Sequence, residues 1–263
     1  MVSVRSVHDG RQAMARWFLG WWRVAHFGAV ILVLLLSPST YTPANRLAIA
    51  KHVYTATAPI LLSFTVLTAL ASVVLIRIVV VTASSYGLSQ YALGMVVRVL
   101  VLELIPLTAA LFVALRCTIP SGVELFEMRR RGDLDALRRQ GVDPMCTEAL
   151  PRVVAGAFSV VTLASVSCVV SLVLAYLVVH GFTPWGLAGY TRTVGQVFSP
   201  VVTTIFSLKT IFYSLAVSMI PMTSGLYDLP PTRSRTSTEL QGLVRLFVVI
   251  LLVEVASLVG NYY

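Results

Sequence analysis

Charge is what this sequence has least of. Lys, Arg, Asp and Glu make up 12% of its 263 residues, against about 25% in an ordinary soluble domain. Cysteine is nearly absent too. Cys117, Cys146 and Cys168 stand far apart, which argues against a disulfide framework and gives no metal-ligand spacing. Cys168 sits in an apolar run and reads as a small packing residue. The four histidines, His8, His26, His52 and His180, are scattered. No H-E-x-x-H or G-x-S-x-G pattern occurs, so the signatures of a zinc protease and of a serine hydrolase are missing. Nor is there a Walker glycine loop, G-x-x-x-x-G-K-[ST], to cradle a nucleotide. The N-terminal apolar run is followed by Ser37-Pro38-Ser39-Thr40 rather than a small-x-small cleavage site.

What is present in abundance is apolar surface: 57% of the residues are hydrophobic. They are grouped into runs at 53–82, 93–115, 153–179, 200–222 and 240–260. A helix needs about 20 residues to cross the hydrocarbon core, and a lone span must be helical to satisfy its own backbone. The five runs therefore read as five transmembrane helices. Residues 17–36 are hydrophobic as well, but Arg16, Arg23 and His26 interrupt or border the first half. Trp17, Trp21, Val24 and Phe27 share one helical face. Tryptophan prefers the interface, so this segment is expected to lie along the membrane as an amphipathic helix rather than cross it.

The 20 basic residues outnumber the 11 acidic ones. Their distribution between spans explains the excess better than nucleic-acid binding does. The segment before Val53 is rich in cations, 84–92 has no Lys or Arg, and 116–152 is rich. Residues 180–199 carry only Arg192, and 223–239 carry Arg233 and Arg235. The positive-inside rule makes the rich segments cytoplasmic. It places the N-terminus inside and Tyr263 outside. Residues 1–52 are then a cytoplasmic N-terminus with an interfacial helix, and residues 53–263 a transmembrane domain.

The segment 116–152 is the least lipid-like part of the core. Its stretches 122–131 and 133–140 have helical composition, Asp133 is placed to cap the second, and Val142-Asp143-Pro144 forces a turn. By physics alone it is either a helical elbow for a soluble partner or a solvated loop that fixes topology.

The order of short motifs bears on that choice. The chain reads Glu103-Leu104-Ile105-Pro106, Ala114-Leu115-Arg116, Glu124, Met128-Arg129, Asp135-Ala136-Leu137, Gly141-Val142-Asp143-Pro144 and Pro151-Arg152. Leu208-Lys209-Thr210 with Phe212, then Gly225, Tyr227-Asp228 and Pro230, and finally Glu254 follow. Over about residues 46–263 this resembles the MlaE/YrbE family of ABC-transporter permeases. Ile105, Leu115 and Phe126 stand where that family has glycines, Gly132 and Asp133 where it has Glu-Gln, and Leu102 where it has arginine.

The resemblance implies an all-α membrane protein with an N-terminal interfacial helix, five transmembrane helices and a cytoplasmic coupling helix between the second and third spans, near 121–137. It implies a homodimeric permease subunit in the bacterial inner membrane, not an enzyme. A separate cytoplasmic ABC ATPase would hold ATP and Mg, and a periplasmic MCE-domain protein would complete the path. A small STAS-type regulatory subunit is a further partner the family admits. The cargo would be phospholipid moved between inner and outer membranes, with a part in outer-membrane asymmetry. Glu124, Met128, Asp135 and Leu137 are the expected contacts to the ATPase.

The topology adds charges inside spans. Arg77, Arg98 and Lys209 fall towards the outer side with Glu254, and Glu103 lies near the middle of the second span. Each costs about 2.5–3.5 kcal/mol near the bilayer centre on insertion scales, so they are expected to face a cavity or each other. The sequence leaves two roles open for these five: a polar pocket for a phosphate head group, or ion pairing and snorkelling. Pro106 is expected to kink the second span. A proton-coupled secondary transporter using Glu103 and Glu254, or a non-transporting assembly subunit, are the competing readings. The first would show an internal repeat of spans, and none is found.

Overall fold

A computed structural model describes residues 20–38, 41–227 and 235–262. Trp17 and the N-terminal arginines Arg5, Arg11 and Arg16 lie outside the described residues, as do Asp228, Pro230 and Arg233. The elements are α1 (Gly20–Leu36), α2 (Pro43–Ser85), α3 (Ser89–Arg131), α4 (Asp133–Arg139), α5 (Met145–His180), α6 (Leu187–Val197), α7 (Pro200–Tyr227) and α8 (Arg235–Tyr262). Among the described residues there is no strand. The protein is an all-α membrane protein. Among the described residues five helices, α2, α3, α5, α7 and α8, are long and apolar enough to cross a bilayer, at the five places the apolar runs predict.

The core falls into three apolar layers stacked along the bundle. At one end Phe27 and Ile31 of α1 pack on Leu125, Leu150, Val153 and Met222. In the middle Phe64, Ala109, Leu163, Tyr213 and Ile250 meet. At the other end Ile76, Val97, Val101, Cys168 and Tyr190 meet. Cys168 is thus the packing residue the sequence suggested. Outside these layers the spans show the inverse of a soluble surface. Leu62, Leu70, Val169 and Leu252 are exposed, as lipid-facing side chains should be.

The described part of α1, Gly20–Leu36, is shorter than the roughly 20 residues of a crossing. It docks at the bundle end where α3 and α5 meet. Phe27 and Tyr227 make an edge-on ring contact, and Arg23 donates to the Tyr227 carbonyl at 2.9 Å, capping the end of α7. Helices α2 and α5 are pinned by buried hydroxyl pairs, Thr57 with Ser159 and Ser72 with Ser171, each at 2.8 Å. Such hydrogen bonds replace solvent where none is available.

Helix α3 departs from the sequence expectation. It runs for 43 residues, through the second span and on to Arg131, so 121–131 is the tail of that span and not part of a separate elbow. It ends at Gly132, whose φ of 81° only glycine adopts without strain. Helix α4 then starts afresh, with Gly132 and not Asp133 as its cap residue; Asp133 instead lies in the first turn, where its charge meets the helix N-terminus favourably. The turn at Val142-Asp143-Pro144 forms as expected, and the Asp143 carboxylate caps α5 by accepting from the Met145 N–H at 3.0 Å.

Among the described residues three stretches are wound as π-helix: Val97–Leu104, Ala114–Thr118 and Met145–Ala149. Each closes with an i to i−5 bond from Ile105, Ile119 or Leu150, and the next residue is Pro106, Pro120 or Pro151. Proline has no N–H and crowds the carbonyl four residues back. Widening the preceding turn relieves that crowding without breaking the helix. The kink expected at Pro106 is therefore a widened turn. Helix α6 was not foreseen; the sequence suggested only a cation-poor loop there. It is held by Tyr190, whose hydroxyl donates to the Leu172 carbonyl at 2.7 Å.

Candidate functional site

The polar centre of the bundle is built by three spans. The first π stretch of α3 presents Glu103, α7 presents Lys209 and α8 presents Glu254. The Lys209 ammonium is ion-paired to the Glu103 carboxylate and lies 2.9 Å from Glu254 Oε2. Its side chain is 1% exposed. It also donates to the Leu102 carbonyl at 3.5 Å. In an unbroken α-helix that carbonyl would take the N–H of residue 106, which is proline. The neighbouring Val101 carbonyl accepts from the Cys168 thiol at 3.5 Å. Pro106 thus leaves main-chain acceptors in the middle of a span, and side chains of α7 and α5 use them.

Two further groups complete the cluster. The Tyr213 hydroxyl donates to Glu254 Oε2, and Asn261 Nδ2 donates to Glu103 Oε1 at 3.4 Å. The Lys209 Nζ lies 5.8 Å from the centre of the Tyr213 ring. Sequence reasoning missed both residues, although helical spacing carries the signal: Tyr213 is four residues beyond Lys209 and Asn261 seven beyond Glu254, on the same faces. One ammonium between two carboxylates leaves the cluster short of positive charge. A group desolvated in this way is held only by its partners, so loss of one partner costs more than the pair contributes.

Of the five in-span charges singled out from sequence, the structure brings Glu103, Lys209 and Glu254 into contact. Arg98 is close by. It is exposed, and lines a small cleft with Leu102, Glu103, Val197, Val202 and Asn261. Arg77 is exposed on α2, and among the described residues it joins no ion pair.

The predicted coupling residues lie at the opposite end. Asp135 is exposed on α4 and lies 3.7 Å from Arg138. Leu137 is half-buried, and the fully packed leucine of α4 is Leu134. Met128 is half-buried against the layer formed around Phe27 and Leu125. Glu124 is mostly exposed and lies 3.8 Å from Arg152, which is itself paired with Glu148 one turn back. The structure therefore separates the four: Asp135 and Leu137 sit on a short helix at the edge of the bundle, whereas Glu124 and Met128 are tied to α5 and α1.

A family model described as Permease MlaE matches residues 49–259. The search of curated proteins gave no match.

Proposed function

The chain belongs to the MlaE permease family, and from that premise we propose that it is the membrane subunit of an ATP-driven transporter that moves phospholipid between the inner and outer membranes. One observation carries the lipid-path reading: a desolvated ion cluster deep in the spans, Glu103–Lys209–Glu254, opens to a cleft that Arg98 lines. Charges are kept inside spans at a cost, and they mark transport paths. Lys209 is fully engaged by two carboxylates. The head-group phosphate accordingly meets Arg98 first, and reaches Lys209 only when the ion cluster opens. Arg77, apart on α2, serves as an interface anchor.

The chain holds no nucleotide-binding glycine loop, so the ATPase, with its ATP and Mg, is a separate cytoplasmic chain. Its contact is α4, where Asp135 and Leu137 are presented beyond the Gly132 break. Glu124 and Met128 pass movement at that contact into α5 and α1. A second copy of the permease, a periplasmic MCE-domain protein and a small STAS-type subunit complete the assembly. The chain sits in the inner membrane with its N-terminus cytoplasmic, as the cation-rich segments favour.

The test is reconstitution of the permease with the ATPase that co-purifies with it. ATP-dependent transfer of labelled phospholipid, lowered by Arg98→Ala and by Asp135→Ala with Leu137→Ala, supports the proposal. Flux driven by a proton gradient without ATP overturns it.

A further inference from the structure

A second polar site lies at the other end of the bundle and shares no lining residue with the ion cluster. Helices α2, α3 and α5 enclose a cavity of about 310 Å³, within the size range of small-ligand sites. Its wall carries His52, Thr55, Arg116, Ser121, Glu124 and Arg152. Arg152 is almost buried and is matched by Glu148 and Glu124. Arg116 is different. It is exposed on the rim, and among the described residues no acid pairs with it. Glu124, about two turns further along the same helix, is 65% exposed and only loosely held by Arg152 at 3.8 Å. Pro59, four residues after Thr55, denies the Thr55 carbonyl its helical donor.

The wall therefore offers one uncommitted cation, one weakly committed carboxylate and a spare main-chain acceptor. A purely anionic ligand would gain from Arg116 but be repelled by Glu124. A ligand with a phosphate and an amine satisfies both. Exposed Tyr54 and Leu115 adjoin the lining residues in sequence and offer apolar surface beside the rim. We infer that this cavity binds the phosphoethanolamine head group of a membrane lipid, phosphate on Arg116 and amine on Glu124. The lipid as the ligand's source rests on the permease reading; the binding chemistry does not.

The experiment uses the full chain alone in nanodiscs doped with phosphatidylethanolamine carrying a diazirine on its head group, beside an equivalent phosphatidylglycerol probe. The ethanolamine probe is expected to label residues 52–56 and 116–124. Arg116→Ala should cut that labelling about tenfold, as loss of a charge-assisted hydrogen bond does, and Glu124→Gln should abolish the preference over the glycerol probe. Arg116→Lys should retain labelling. Soluble phosphoethanolamine separates the sources: displacement shows that the free head group suffices, and lack of displacement assigns the site to the lipid. Equal labelling by both probes in the native chain, or labelling unchanged by Arg116→Ala and Arg116→Glu, overturns the inference. Arg116 holds no described ion pair, so an unchanged unfolding midpoint serves as the folding control. No ATPase is present, so failure of ATP-driven transfer would not alter this readout.

Discussion

The Lys209 ammonium hydrogen-bonds the Leu102 carbonyl at 3.5 Å, and that carbonyl lacks its helical donor because residue 106 is proline. A main-chain defect on one span thereby becomes part of the seat of a buried cation on another. The same ammonium neutralises Glu103, one residue further along α3, so backbone and side chain of a single turn hold it together.

Removing that ammonium should be costly. Lys209→Met strands Glu103 and Glu254 in an apolar interior and should destabilise the protein by about 3–5 kcal/mol. The combination Lys209→Met, Glu103→Gln and Glu254→Gln removes all the formal charge and should recover most of the loss. Unfolding midpoints in detergent check both. If the triple variant is stable yet transfers no lipid, the cluster acts in transport and not only in folding.

Pro106→Ala restores a main-chain donor within the second span. Its N–H competes for the Leu102 carbonyl and allows the widened turn to close. Hydrogen exchange at residues 100–108 should slow, and Lys209 should lose its main-chain partner. An exchange profile like that of the native chain would show that the proline does not set the local geometry.

Glycine substitutions separate close contacts from open positions. A Cβ on Gly225 would lie 2.1 Å from the Gly122 carbonyl oxygen, and one on Gly122 would lie 2.5 Å from the Pro221 oxygen. Neither neighbour can move without shifting a helix. Gly225→Ala and Gly122→Ala should each cost about 1–3 kcal/mol. Gly94→Ala meets nothing within 4 Å, and should be neutral or stabilising by up to about 1 kcal/mol from helix propensity. Thermal midpoints of the three variants test the contrast.

The docking of α1 gives a further pair. Phe27 is fully buried and Trp22 is 72% exposed. Phe27→Ala should cost about 3–5 kcal/mol, whereas Trp22→Ala should change stability by less than about 0.5 kcal/mol but loosen attachment of α1 to the interface. Unfolding midpoints and fluorescence quenching by bilayer-embedded bromolipids measure the two effects separately.

At the α4 contact, Asp135→Ala with Leu137→Ala should cost no more than about 2 kcal/mol of stability, since Asp135 makes only an exposed ion pair and Leu137 is only half-buried. It should remove stimulation of the ATPase by the permease. Unchanged stimulation would refute the assignment of α4 as the coupling element.

Spans were legible from sequence because lipid imposes length and apolarity on every crossing, and the five apolar runs lie within the five long helices. Partnership inside the membrane was less so. The sequence offered Glu103, Lys209 and Glu254 as either head-group ligands or mutual partners, and the fold places them in contact. Tyr213 and Asn261 were passed over because they are uncharged, though their helical spacing put them on the right faces. The extent of α3 was hidden because Arg116 and the polar residues after it look like the start of a loop. A helix that leaves the bilayer can continue in water when Val123, Leu125 and Phe126 still have a core to bury into. Helix α6 is hidden for the converse reason: Gly189 and Gly195 weaken its propensity, and tertiary contacts through Tyr190 compensate.

The unbroken course of α3 has a mechanical meaning. Glu103 in the ion cluster and Glu124 beside Arg152 belong to the same rod, about 30 Å apart at 1.5 Å per residue. No loop lies between them to absorb displacement. A displacement of the rod at its Arg152 contact would therefore be felt at the carboxylate that grips Lys209, through the overwide turns between them. One helix thus joins an ion pair with Arg152 at one end to an ion pair with Lys209 at the other.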